Sequence, residues 1–172
     1  MIITNNCDSS FVYKDIVKHQ YIHPFTWCII NYNDWIKFVE NFETIDFYDI
    51  KICHLMMPIE HDCFYSGKSF FTIVLNSINV HIYYVHTDEE HKYMDETIYY
   101  RRLNRMYEYG LNNIKFIYIK MYHAFDIAPD YIDHNRFEII SKLNYPQIYY
   151  PDNMINHSLI SNIIYEKYKD YI

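Results

Sequence analysis

Cys7 is the residue whose type and position in this sequence best suit chemistry. It follows a short apolar stretch and a polar turn at residues 5–6, where an amphipathic helix is expected to begin. A thiol at a helix N-terminus lies close to unpaired backbone N–H groups, which favour the thiolate and lower its pKa. Cys7 is therefore a candidate nucleophile. The alternative is inert packing, because cysteine is among the most buried residue types.

A nucleophilic cysteine needs a base that accepts its proton and a third group that orients the base. His86 and Asp126 each follow a predicted strand, at residues 80–85 and 114–121. In open α/β sheets, ligand sites form beyond the carboxyl ends of the strands. We therefore predict that Cys7 is the nucleophile, His86 the base and Asp126 the orienting acid.

Substrate contacts are expected from polar and aromatic side chains near the same strand ends, and from an arginine group on a long predicted helix. Arginine side chains can hold a phosphate or a carboxylate. The predicted substrate-binding residues are Asn6, His23, Trp27, Arg101, Arg102, Arg105 and His123. The alternative for the three arginines is a solvated face near the end of the helix. The alternative for Trp27 is a place in the core.

Composition limits the partners and cofactors that we expect. A chain of 172 residues fits a single domain, residues 1–172, and its formal charge of −7 disfavours nucleic acid as a partner. The sequence has no apolar run of about 18 residues, so we expect no membrane span. The cysteines are irregularly spaced and form no CxxC pair, so we predict no metal and no cofactor.

Periodicity predicts both strands and helices. Strands are predicted at residues 1–4, 47–57, 70–75, 80–85, 114–121 and 147–150, and helices at residues 8–19, 33–41, 88–109, 129–143 and 156–168. Asn76 to Asn79 separate two β-branched runs and indicate a β-hairpin, and Gly110 is expected to end the long helix. The strand and helix alternation favours parallel strands. The predicted fold class is α/β, a mixed, largely parallel sheet with helices on both faces and an inserted β-hairpin.

Three short motifs also resemble known families. They are the Asn5-Asn6-Cys7 turn, the His23-Pro24-Phe25-Thr26-Trp27 segment, and His86 ahead of a helix that carries Tyr100-Arg101-Arg102-Leu103-Asn104-Arg105. Their order is similar to a papain-like cysteine peptidase family of bacteria and giant viruses, which has a Pro-Phe-Asp-Trp motif and an Arg-Arg-x-x-Arg helix. It is also similar to a domain of unknown function from polysaccharide-biosynthesis clusters, which begins with a Ser-Asn-Asn-Cys-like turn.

This resemblance spans roughly residues 2–150, with two departures. Thr26 stands where the first family has an aspartate, and Asp8-Ser9-Ser10 stands where the second has Trp-Gly-Gly. The resemblance implies that Cys7 is the nucleophile and His86 the base, and it implies a papain-like α+β fold as an alternative to the α/β prediction.

The function predicted from these observations is a cysteine-dependent hydrolase or acyl transferase that acts on a peptide or a glycan. One alternative is an enzyme of polysaccharide or glycan biosynthesis, or a carbohydrate-binding module. Another is a noncatalytic interaction protein, because 20% of the residues are aromatic and could form an adhesive surface. The expected location is cytoplasmic, which for a viral protein means the host cytoplasm.

Overall fold

Strands and helices are mixed along the chain. In the computed structural model, the described residues are 1–18, 23–58, 67–85, 95–119, 137–140 and 156–172. The strands are β1 (Ile2–Thr4), β2 (Cys28–Ile29), β3 (Ile50–Met56), β4 (Ser69–Leu75), β5 (Val80–Tyr84), β6 (Lys115–Ile119) and β7 (Phe137–Ile140). The helices are α1 (Asp8–Phe11), which continues as a π-helix over Val12–Val17, then α2 (Tyr32–Asn41), α3 (Glu96–Tyr109) and α4 (His157–Tyr168).

These strands divide between two β-sheets. A parallel sheet has the order β1-β6-β7, and an antiparallel sheet has the order β2-β5-β4-β3. The prediction of one largely parallel sheet with helices on both faces is therefore wrong. The hairpin of β4 and β5 is the centre of its own sheet, because β3 and β2 add to its two edges. The broader prediction of mixed helices and strands is confirmed, and the arrangement is of the α+β kind.

The parallel sheet is buried on both faces. Ile3 and Phe116 point into the main core, whereas Ile2 and Ile117 point into a second core shared with Ile164 of α4. Strands that are covered on both faces have near-continuous apolar sequences. This burial explains why β1 and β6 are apolar without the alternation of a half-exposed strand.

The main core is rich in aromatic rings. Phe38 of α2 is fully buried, and its ring centroid lies 4.9 Å from that of Phe25 and 5.3 Å from that of Phe42, both in edge-to-face geometry. Edge-to-face pairs gain electrostatic attraction beyond their buried area. α3 adds Tyr99 and Leu103 to the same core, so this core joins the two sheets to α2 and α3.

Local signals fix several element ends. Asp95 caps α3, since its carboxylate accepts a hydrogen bond from the Ile98 N–H at 2.8 Å. Gly110 ends this helix with a φ of 93°, as the sequence predicted. Asn156 caps α4 by accepting from the Leu159 N–H at 3.1 Å. The predicted start of α3 at residue 88 lies outside the described residues, and within them the helix begins at Glu96.

One predicted helix is wrong where the structure describes it. Residues 129–143 were expected to be largely helical, but Phe137–Ile140 form β7 and pair in parallel with β6. A distant strand decides this conformation, because Phe116 of β6 lies opposite Phe137 in the ladder. Such a partner overrides the local propensity of a short segment. The strand predicted at residues 147–150 lies outside the described residues.

Side chains close the outer edge of β1. The Ile2 N–H donates to the Tyr13 hydroxyl at 2.7 Å, and the Ile2 carbonyl accepts from Nε2 of His23 at 3.1 Å. Unpaired groups along a sheet edge invite pairing with another strand. Tyr13 and His23 therefore satisfy the edge of the strand that leads to Cys7.

Candidate functional site

Cys7 lies between β1 and α1, at the end of the parallel sheet. Its carbonyl oxygen accepts hydrogen bonds from the Ser10 N–H at 3.0 Å and the Phe11 N–H at 3.3 Å. These bonds form the first turn of α1, so the thiol is carried by the residue that starts this helix. The sequence predicted this position from the polar turn after a short apolar strand.

Buried polar side chains hold the turn around Cys7. The Thr4 hydroxyl bonds to the Asn6 carbonyl at 2.6 Å and to the Ser9 hydroxyl at 3.0 Å, and it accepts from the Ser9 N–H at 3.0 Å. Thr4 and Ser9 have no exposed surface, and Asn6 is 2% exposed. Burying polar groups costs free energy unless they are hydrogen-bonded, so this network holds the turn in one conformation.

The thiol of Cys7 faces the strand β2. Sγ lies 3.7 Å from the Cys28 carbonyl oxygen, and 5% of the residue is exposed. Cys28 itself is fully buried, its thiol donates to the Phe25 carbonyl at 3.1 Å, and burial raises the pKa of that thiol. A buried thiol with a raised pKa is a poor nucleophile. Cys28, although it neighbours Cys7, is therefore not a candidate nucleophile.

Trp27 joins the Cys7 turn to the end of β5. Its N–H donates to the Ser10 hydroxyl at 2.7 Å, and its carbonyl accepts from the Val85 N–H at 3.3 Å. Its φ of 61° is in the left-handed region, which is an outlier for a bulky side chain. Strained residues of this kind concentrate at functional sites. Val85 is followed directly in the chain by His86, the predicted base.

His23 is positioned as a structural residue. The ring is fully buried, Nε2 donates to the Ile2 carbonyl, and Nδ1 accepts from the Phe25 N–H at 3.1 Å. These partners assign the neutral tautomer with its proton on Nε2. Burial lowers the pKa of His23 to about 3. Its predicted part in substrate binding gains no support from this geometry.

The three predicted arginines do not share one environment. Arg101 and Arg105 are exposed on α3, whereas Arg102 points inward and is 8% exposed. Nη1 of Arg102 donates to the Thr26 hydroxyl at 3.2 Å. Burial lowers the pKa of Arg102 to about 10, although the hydroxyl of Tyr84 works in the opposite direction. The single anion-binding group that the sequence suggested is thus split between a surface pair and a buried residue.

The buried Thr26 makes its hydrogen bonds through the side-chain hydroxyl. This hydroxyl accepts from Nη1 of the Arg102 guanidinium. The same hydroxyl donates to the His23 carbonyl at 3.4 Å. The charged guanidinium thus donates to a neutral hydroxyl, whereas a carboxylate at this position would form an ion pair with the arginine.

Three predicted site residues lie outside the described residues: His86, His123 and Asp126. Their proximity to Cys7 stays a prediction. Within the described residues, the ends of β1, β5 and β6 meet around Cys7, because Val85 bonds to Trp27 and Asn5 bonds to Ile119. These contacts bring the described ends of the three strands together, and the placement of the three further residues beside them stays a prediction.

Sequence reasoning missed the contributions of Asn5 and Ser10 to this region. Asn5 is 4% exposed and Ser10 2% exposed, and both bond to backbone groups of other elements. The available signal was the run of polar residues from Thr4 to Ser10 directly after an apolar strand. From this run the sequence predicts a turn, a helix start and the site residues Asn6 and Cys7, but no role for Asn5 or Ser10 in the site.

Comparison with other proteins adds no assignment. No protein-family model matches the chain, and no curated protein shows significant sequence similarity to it. Among the described residues, no three side chains of His, Cys, Asp or Glu are grouped as a metal site would require. In the same part of the chain, every helix is too short or too polar to cross a membrane.

Proposed function

We propose that this protein is a cysteine-dependent hydrolase or acyl transferase, with Cys7 as nucleophile, His86 as base and Asp126 as the orienting acid. The observation that carries the proposal is the buried polar turn that presents the Cys7 thiol beside the end of β5. Thr4, Asn6 and Ser9 fix this turn from within. A packing cysteine needs no such surroundings, since apolar neighbours would serve it at lower cost.

The proposed reaction follows the chemistry of a thiol nucleophile. The Cys7 thiolate attacks a carbonyl carbon, the new C–S bond gives a thioester, and the bond to the leaving group breaks. The His86 imidazolium transfers its proton to that leaving group. Water, or another acyl acceptor, then gives a proton to the imidazole and attacks the thioester. The acyl product departs, and the thiolate and imidazolium are restored.

Selective alkylation tests the proposal with controls from the same chain. Cys53 is partly exposed, whereas Cys28 is fully buried. At about pH 6.5, iodoacetamide should modify Cys7 faster than Cys53, because the proposed His86 partner keeps Cys7 as the thiolate, which is the form that reacts. Cys28 should react only after unfolding. Peptide mapping by mass spectrometry measures each rate, and equal rates at Cys7 and Cys53 would contradict the proposal.

Replacement of the predicted base gives a second test of the same mechanism. His86→Ala should move the pH midpoint of Cys7 alkylation upward, toward the value near 8.5 of a free thiol. Cys7→Ser should abolish the fast-reacting site without changing the rate at Cys53. A midpoint that is unchanged in His86→Ala would remove His86 from the mechanism while leaving Cys7 as a reactive thiol.

A second candidate function is carbohydrate binding, and exposed tyrosines favour it. Tyr48 is 54% exposed and Tyr107 is 39% exposed. The ring of Tyr48 is nearly parallel to those of Tyr100 and Tyr107, at centroid distances of 5.6 and 6.4 Å. The Tyr48 hydroxyl donates to the Asn104 amide oxygen at 3.3 Å. Exposed aromatic rings beside hydrogen-bonding groups are suited to contacts with ligands.

A panel of oligosaccharides and nucleotide sugars tests this second candidate by thermal shift. A binding sugar should raise the unfolding temperature of the wild type and have less effect on Tyr48→Ser. Tyr165 of α4, which packs against the second core, gives a control for the loss of a tyrosine as Tyr165→Ser. The absence of any stabilising sugar, or equal shifts in the wild type and Tyr48→Ser, would reject binding at these tyrosines.

A further inference from the structure

Asn5 uses its side chain as if it were part of the backbone. Its Oδ1 accepts from the Ile119 N–H at 2.6 Å, and its Nδ2 donates to the Ile119 carbonyl at 3.2 Å. Its own backbone carbonyl accepts from the Ile30 N–H at 2.8 Å. Asn5 is 4% exposed. One residue therefore bonds to the end of β6 and to the residue after β2.

The parallel ladder shows what this side chain replaces. The Lys115 N–H donates to the Met1 carbonyl at 2.8 Å, and successive bonds of a parallel ladder recur every two residues on each strand. The ladder would therefore continue from the Ile119 N–H to the Asn5 carbonyl. In the structure the Asn5 side-chain carbonyl takes this bond instead, which releases the backbone carbonyl to bind Ile30.

Asparagine suits this exchange because of its length and its two functions. Its amide offers one acceptor and one donor in the geometry of a peptide group. Aspartate in its charged form lacks the donor, and serine lacks the second group at the right distance. The exchange allows the chain to leave the parallel sheet at Asn5 without leaving the Ile119 peptide groups unpaired.

This departure from the sheet sets the position of the thiol. Cys7 follows Asn5 by two residues, and its Sγ faces the carbonyl of Cys28, two residues before Ile30. We propose that Asn5 is a positioning residue, whose paired amide fixes the Cys7 thiol against β2 and the end of β5. This inference rests on the proposed function of Cys7 as a nucleophile.

The test compares Cys7 alkylation in the wild type and in Asn5→Ala. The variant leaves the Ile119 N–H and carbonyl without their partner, so the turn should shift. If Cys7 returns toward the behaviour of a free thiol with a pKa near 8.5, only about 1% of it is thiolate at about pH 6.5, so we expect the rate there to fall by tenfold or more. The pH midpoint of the reaction should move toward 8.5 at the same time.

Leu75→Ala is the matched control for lost stability. Leu75 is fully buried and is paired with Ile50 and Val80. That end of the antiparallel sheet is opposite to the Cys28–Tyr84 pair. A buried leucine truncation should destabilise the fold by about as much as Asn5→Ala or more. Its Cys7 rate should stay within twofold of the wild type at temperatures where both proteins are folded.

Asn5→Asp keeps the test decisive if Asn5→Ala does not fold. A protonated aspartic acid offers a donor and an acceptor, as the amide does, whereas a carboxylate offers only acceptors. Burial at this site and the facing Ile119 carbonyl favour the neutral acid and should raise the carboxyl pKa above its ordinary value near 3.9. The ratio of the Cys7 rate in Asn5→Asp to that in the wild type should therefore fall as the pH rises from about 5 to about 8.

The outcomes separate the proposed function of Cys7 as a nucleophile from the proposed positioning role of Asn5. If wild-type Cys7 reacts no faster than Cys53, the proposed function fails first. If wild-type Cys7 is fast, then an unchanged rate in folded Asn5→Ala, a pH-independent ratio in Asn5→Asp, or an equal loss in Leu75→Ala would each overturn the positioning role of Asn5.

Discussion

Replacement of His23 by glutamine should remove an acid sensitivity that one buried imidazole gives to the fold. The ring has no exposed surface, and burial lowers its pKa from 6.5 to about 3. Both ring nitrogens bind backbone groups, with Nε2 as donor to Ile2 and Nδ1 as acceptor from Phe25. A second proton, on Nδ1, would face the Phe25 N–H. Protonation of His23 in the folded protein is therefore opposed by the loss of solvation and by the Phe25 N–H that faces Nδ1.

The sign of the pH effect follows from proton uptake by the two states. Below pH 6.5 the unfolded chain binds a proton at His23, whereas the folded protein does not bind one until the pH approaches 3. The free energy of unfolding therefore falls as the pH is lowered through this window. Each pH unit corresponds to about 1.4 kcal/mol for one proton. Between about pH 8 and pH 5, His23 should account for a loss of about 2 kcal/mol.

Urea unfolding at several pH values measures this contribution, with the fluorescence of buried Trp27 and Trp35 as the signal. His23→Gln should be less stable than the wild type at about pH 8, because glutamine fills less of the site but can still donate and accept. The difference between the two proteins should shrink by about 2 kcal/mol at about pH 5. His54→Gln, at an exposed position of β3, controls for the loss of an imidazole.

A difference between the wild type and His23→Gln that stays constant from about pH 8 to pH 5 would refute this reasoning. It would mean that the folded and unfolded states bind a proton at His23 equally well. An equal pH effect in His54→Gln would refute it too, because the acid sensitivity would then not depend on burial.

Four further substitutions, at three positions, have expected effects on the free energy of unfolding in urea. Thr26→Val should cost about 1–3 kcal/mol, since it removes a buried hydrogen-bond acceptor of Arg102. Thr26→Asp should be more stable than Thr26→Val at neutral pH and lose this advantage as the pH falls through the range of the carboxylate, since the guanidinium favours its charged form. Gly110→Ala should cost about 1–2 kcal/mol, because alanine rarely adopts the φ of 93° found there. A steric clash adds nothing to this cost, since the added Cβ would lie 3.6 Å from Asn113, which is an ordinary contact. Phe38→Ala should cost about 3–5 kcal/mol by opening a cavity in the aromatic core.

Each of these has a contrary result. Equal stability of Thr26→Asp and Thr26→Val at every pH would mean that the Arg102 charge does not act at this position. An unchanged free energy of unfolding in Gly110→Ala would mean that the backbone at the end of α3 adapts at no cost. A loss below about 1 kcal/mol in Phe38→Ala would mean that the surrounding rings collapse into the space.

Local sequence determined the elements whose signals lie within a few residues. The β-branched runs around Asn76 to Asn79 gave the β4–β5 hairpin, and Gly110 ended α3 because a positive φ there favours glycine. Asn156 gave the start of α4 through a capping bond three residues away. The position of Cys7, between an apolar strand and a helix start, was predictable for the same reason.

Contacts between distant residues decided the rest. Phe137–Ile140 form a strand because β6 pairs with them, although their own sequence favoured a helix. Arg102 is buried and separate from the exposed Arg101 and Arg105, and its guanidinium bonds to the hydroxyl of Thr26, which is distant in sequence. The division into two sheets depends in part on Asn5, whose amide closes one ladder while its backbone joins the other.

The sequence by itself thus predicted the candidate residues for chemistry and determined the elements with local signals, such as the β4–β5 hairpin and the capped ends of α3 and α4. It did so because periodicity, capping and glycine preferences act over a few residues. The tertiary structure alone decided the sheet to which each strand belongs, and which buried polar groups hold Cys7. Hydrogen bonds such as that between Asn5 and Ile119 join residues far apart in the chain, and no local pattern encodes their pairing.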